Sequence, residues 1–94
     1  MRDYEAMVIV DPTLDEGDLQ KAIDRFLSIV TDSGGEVRGV DRWGVRRFAY
    51  EIDHQKEGYY FVASFRARHD VLDDLKRTLQ MSDEFIRGKI IRPE

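Results

Sequence analysis

Few residues in this chain have types and spacing that could do chemistry. His54 and His69 are the only histidines; they stand in separate loop-like stretches, and neither has a neighbour at metal-ligand spacing. Cysteine is absent, which removes thiolate nucleophiles, disulfides and sulfur ligands together. Asp73-Asp74 and Asp83-Glu84 are paired carboxylates, but adjacent acids in helix or cap positions are normally solvated. No nucleophile elbow or phosphate loop occurs. The sequence therefore predicts no catalytic residue, no metal site, no cofactor and no small-molecule substrate.

What remains is arginine chemistry. "DRWGVRRFAYEI", residues 41–52, sets Arg42, Arg46 and Arg47 beside the only tryptophan, Trp43, in a segment that reads as a strand. A guanidinium fork suits phosphate and carboxylate alike, and an exposed tryptophan commonly anchors a partner. The surrounding chain is acidic overall, with a net charge of −4 over 94 residues. That charge is sorted. Residues 1–35 carry three basic and eight acidic side chains, residues 36–50 four and two, and residues 85–92 three and none. Net acidity argues against crude charge-driven binding of nucleic acid. The sorting would still serve one basic face if the fold joined the two basic segments.

Those residues need elements to hold them. "YEAMVIV", residues 4–10, has strand composition and ends at Asp11-Pro12. Leu19, Ile23, Phe26, Leu27 and Val30 then recur at helical spacing. Thr13 with Glu16 has capping-box spacing, Asp15 and Asp18 offer a later cap, and Gly34-Gly35 ends the helix. A long extended segment follows from about Glu36 to Ile52. A bulge near Gly39 would put Val37 and Val40 on one face, with Phe48, Tyr50 and Ile52 sharing the parity of Val40. "DHQKE", residues 53–57, reads as a polar loop and "GYYFVASFRA" as the returning strand of a hairpin. "DVLDDLKRTLQM" reads as a helix capped by Asp70, with Val71, Leu72, Leu75 and Leu79 inward. "FIRGKIIR" is the last strand.

The order β-α-β-β-α-β predicts an α+β, ferredoxin-like sandwich over residues 1–94, one domain, with a four-stranded antiparallel sheet and both helices on one face. Strands one and three should be central. Parity turns Tyr60, Val62 and Ser64, Arg87, Lys89 and Ile91, and Glu5, Met7 and Ile9 to the open face. The second strand exceeds what the helices can cover, so "DRWGVRR" should project from the body. No apolar run reaches the ~20 residues of a membrane span, and the start lacks a signal-peptide pattern, so a soluble cytoplasmic protein is expected.

Several families share this topology. Acylphosphatase needs an arginine in a glycine-containing phosphate loop and an asparagine, and the chain has no asparagine. "EGYYFVASF" is similar to the central-strand signature of RNA-recognition motifs at Gly58, Tyr59, Phe61 and Val62, but Glu57, Tyr60 and Ser64 depart from it and strand one offers Met7 and Ile9 for stacking. A regulatory ligand-binding module of ACT type is the alternative kept. The more specific resemblance lies in "RDYEAMVIVDPTLDE", "GGEVRGVDRWGVRRFAYEI", "EGYYFVASF" and "EFIRGKIIR". Together these resemble bacterial small-subunit ribosomal protein six across essentially the whole chain.

The resemblance implies a structural, non-enzymatic role in the 30S subunit. It implies binding to the central domain of 16S ribosomal RNA together with small-subunit ribosomal protein eighteen. Carried over by matching position, Arg42, Trp43, Gly44 and Arg46 would meet the protein partner. Arg2, Tyr4, Arg46, Arg47, Arg87, Lys89 and Arg92 would meet RNA. Asp3 replaces a second basic residue found in some relatives, Phe48 replaces the usual leucine, and with the sequence stopping at Glu94 no tail contacts are assigned.

Overall fold

The computed structural model describes residues 1–52 and 54–93. Its elements are β1 (Arg2–Val10), α1 (Glu16–Asp32), β2 (Glu36–Ile52), β3 (Gln55–Ala67), α2 (Val71–Met81) and β4 (Phe85–Ile91). The strands form one antiparallel sheet in the order β2-β3-β1-β4. Alternation decides which side chains meet the helices. Tyr4, Ala6, Val8 and Val10 of β1 and Phe61, Ala63, Phe65 and Ala67 of β3 are buried in a single cluster with Leu19, Ile23, Phe26 and Val30 of α1 and Val71, Leu72 and Leu75 of α2. Phe26 lies at its centre, edge-on to Phe61 and Phe85.

The helix ends show how local competition is settled. Asp15 is the α1 cap and accepts from the Asp18 amide at 2.8 Å. Thr13 instead donates its amide and hydroxyl to Asp11, which tightens the turn after β1. Asp70 holds the N-cap position of α2 without capping it; its backbone is helical and its carboxylate accepts from Arg68. Arg25 ties α1 to the start of β4 through Glu84 at 2.9 Å and lies over the Phe85 ring. That guanidinium holds the Glu84 carboxyl below its usual range.

The expected bulge near Gly39 is present, and it places Val37 opposite Phe65 and Val40 opposite Ala63, both on the helix side. A second irregularity was not foreseen. The register shifts again between Arg42 and Gly44, where Gly44 takes a φ of +85°. Only glycine adopts that backbone readily, and the extra residue at Trp43 flips the faces beyond it. Phe48 consequently lies edge-on to Tyr60 on the open side, away from the parity of Val40.

Two further expectations need correction. The hairpin turn is tighter than a five-residue loop, because Gln55–Glu57 already belong to β3; Asp53 lies outside the described residues. The overhang also begins later than "DRWGVRR". Asp41, Arg42 and Gly44 pair with Val62, Phe61 and Tyr60, which are themselves paired to β1. Only from about Arg46, opposite Gly58, does the β2–β3 ribbon pass the end of β1.

Candidate nucleic-acid and partner interface

The uncovered sheet face is apolar in its middle. Met7 and Trp43 are 38% and 41% exposed, with Tyr60 and Val62 half-buried between them. Trp43 stacks on Tyr60 with centroids 6.3 Å apart and planes 11° from parallel, while its indole N–H donates to Asp41. Tyr60 thus stands between Trp43 and Phe48 in an aromatic trio at the root of the ribbon. Gly58 lets that root close, since a Cβ there would collide with Ile9 and lie 2.8 Å from the Phe48 ring. Beside Trp43 is a recess of about 430 Å³ lined also by Gly39, Val40, Val62 and Ser64 and by the acidic Glu5 and Asp41. Strand parity put Glu5 outward; the register sets it across β3 from Asp41, with Glu5 opposite Ser64 and Asp41 opposite Val62.

The three arginines around Trp43 have different environments. Arg42 has the parity of the helix side. It donates to Glu16 at 2.8 Å, to Gln20 at 3.2 Å and to the Tyr59 hydroxyl at 2.8 Å, and it lies over the Tyr59 ring. The Glu16 contact first, then Tyr59, raises its pKa further above its ordinary value. This guanidinium clasps β2 to α1 and is the most committed of the three. Arg46 donates to the carbonyl of Val45, its neighbour in the chain. Arg47 is exposed, opposite Glu57 on the ribbon.

The cations assigned to RNA separate into groups. Arg87 and Lys89 project from the open side of β4, opposite Ile9 and Met7 of β1. Arg2 pairs with Ala67 at the far end of β1, and it shares a recess of about 360 Å³ with Arg92 and His69. Among the described residues, none of Arg2, Arg87, Lys89 or Arg92 has a carboxylate within ion-pair distance. Tyr4 does not belong with them. Its ring is 2% exposed, packed against Phe65 in the core, and cannot meet a nucleotide without unfolding β1.

The fold keeps the two basic segments apart. β2 and β4 are opposite edges of the sheet, with β3 and β1 between them. Arg47 and Arg2 lie opposite Glu57 and Ala67, so they are separated by ten β3 residues, roughly 30 Å at about 3.3 Å each. That is most of the molecule's 36 Å length. One continuous basic face is therefore absent, and an apolar, partly acidic face lies between the cation groups.

Comparison with known proteins bears on what such a surface serves. The sequence profile described as Ribosomal protein S6 matches residues 3–92. The chain belongs to the ribosomal protein S6 family. Small ribosomal subunit protein bS6 of an Arthrobacter species (strain FB24) is 44% identical over 94 residues, covering all of this chain and 93% of that protein. The Streptomyces coelicolor protein of the same name is 45% identical, with 98% of its length covered. The crystal structure of 30S ribosomal protein S6 from Thermotoga maritima superposes with a TM-score of 0.91 at 33% identity, covering 98% of this chain and 87% of that one.

S6 membership makes the chain a structural protein of the small ribosomal subunit, at work in translation on the cytoplasmic ribosome, with RNA binding as its setting. It also displaces the ligand-module alternative. Among the described residues no helix is long and apolar enough to cross a membrane.

Proposed function

We propose that this protein binds the central domain of 16S ribosomal RNA as a heterodimer with small-subunit ribosomal protein eighteen, each subunit supplying contacts the other lacks. It is a non-enzymatic binding protein. The observation carrying this reading is the separation of surfaces: an exposed aromatic and apolar face with the acidic Glu5 and Asp41 beside it, and exposed cations elsewhere on the molecule. An apolar face of this kind marks a binding surface, and acidic residues beside it suit a basic protein.

Trp43, with Gly44 and Arg46, belongs to the partner side, and Arg47, exposed on the same ribbon, is available to either neighbour. Arg2, Arg87, Lys89 and Arg92 belong to the RNA side. A few phosphate contacts give weak, salt-sensitive binding. A docked basic partner adds contacts and fixes orientation, which strengthens binding without any new contact from this chain. Titration of a central-domain RNA fragment with this protein, the partner and the pair tests the reading. The pair should bind far more tightly than either protein alone. Tight binding by this protein alone, unchanged by the partner, would refute the shared mechanism.

Arg42 discriminates clasp from anchor. Arg42→Ala should destabilise the fold by roughly 0.5–1 kcal/mol through loss of the Glu16 and Tyr59 contacts, while leaving partner affinity within about twofold. Thermal melting and partner titration read the two effects separately. A large loss of affinity with unchanged melting would make Arg42 a direct anchor.

A further inference from the structure

We infer that Arg2, His69 and Arg92 form a single oxyanion clamp that grips one RNA backbone phosphate and tightens as pH falls. The RNA part rests on the function proposed above; the clamp itself rests on three residues from three parts of the fold. Arg2 begins β1, His69 lies between β3 and α2, and Arg92 follows β4, yet together they line the same recess of about 360 Å³. None of the three is buried, so an incoming anion meets no barrier.

His69 is held for this role by Tyr4. The Tyr4 hydroxyl is 3.4 Å from Nδ1 of the imidazole. With the hydroxyl donating to Nδ1, the neutral ring carries its proton on Nε2. In the charged ring Nδ1–H donates back to the hydroxyl, and Nε2 still carries its proton. Nε2–H can therefore donate to an oxyanion in either state, and protonation adds charge without changing the donor. The same contact gives the buried hydroxyl of Tyr4 a purpose that RNA contact cannot supply.

The surrounding charges set the sign. Arg2 and Arg92 face the recess from β1 and from the chain after β4. On the loop of His69 itself, Arg68 and Asp70 are paired with each other at 3.2 Å. Asp73 and Asp74 follow in the first turn of α2. A bound phosphate brings negative charge beside the ring, so binding and protonation favour each other. Histidine is the side chain whose charge ordinarily changes between pH 5 and 8. The other histidine, His54, is in the turn at the far end of the β2–β3 ribbon and serves as an internal control.

The test measures RNA affinity of the heterodimer at pH 7.5 and 5.5 for the wild type and for His69→Gln, which keeps an N–H donor but cannot charge. Wild-type affinity should rise roughly fivefold on acidification, in the range of one charge-assisted contact, and most of that rise should vanish in the variant. An equal rise in both proteins overturns the clamp. A second arm follows the two imidazole NMR resonances of the protein alone in sodium sulfate against sodium chloride at equal ionic strength. Sulfate, whose charge is constant over this range, should make His69 titrate at higher pH and leave His54 unmoved. Equal behaviour of the two rings overturns the clamp. If the heterodimer binds no RNA at either pH, the ribosomal RNA reading fails, and the sulfate arm still decides the clamp.

Discussion

Replacing Trp43 by alanine should weaken the heterodimer by about thirtyfold, equivalent to roughly 2 kcal/mol, while lowering the melting temperature by roughly 2–12 °C. The indole is 41% exposed, so much of its surface is free to be covered by a partner. Its internal attachments are one ring stack on Tyr60 and one hydrogen bond to Asp41. An aromatic pair contributes about 0.5–1.5 kcal/mol beyond area burial, and exposed hydrogen bonds contribute less. In a domain of this size 1 kcal/mol shifts melting by about 4–8 °C. Trp43→Phe should restore the stack on Tyr60 and part of the affinity, since it keeps the ring but not the N–H. Calorimetric titration with the partner and thermal melting by circular dichroism read the two quantities. A fall in melting temperature of 15 °C or more, or unchanged partner affinity, would place the indole in the service of the fold alone.

How much of this surface was legible beforehand depends on the residue. Strand parity turned Met7, Tyr60 and Val62 outward and Val8, Phe61 and Phe65 inward, and the structure places them so; Ile9 also lies on the open side but is buried there at the root of the ribbon. The Gly39 bulge was legible because two valines of opposite parity both needed the core. The Trp43 bulge was not inferred, although a glycine inside a strand is its usual signal. Missing it put Phe48 on the wrong face. Tyr4 is a different kind of miss. Its parity with Ala6, Val8 and Val10 already pointed inward, and only family resemblance assigned it to RNA. Arg42's contact with Glu16 spans 26 positions of chain and had no local signature. The sorting of positive charge was read correctly, but the strand order β2-β3-β1-β4 sends the two basic segments to opposite edges.

That placement makes the double change of Arg87 and Lys89 to alanine the sharpest test of the RNA side. Both side chains are exposed, and among the described residues neither has an ion-pair partner, so their removal should leave melting within about 0.5 kcal/mol. Loss of two phosphate contacts should reduce the slope of log K against log salt by about 1.4–1.8 and weaken RNA binding roughly tenfold or more at moderate salt. Partner affinity should not change. The β4 edge is three strand spacings from β2, roughly 14 Å, and β1 and β3 intervene. Arg46→Ala with Arg47→Ala on the ribbon is the matched comparison, since it removes the same charge from the opposite edge. If that pair flattens the salt dependence and the β4 pair does not, RNA runs along the ribbon, and the assignment of the two edges must be exchanged.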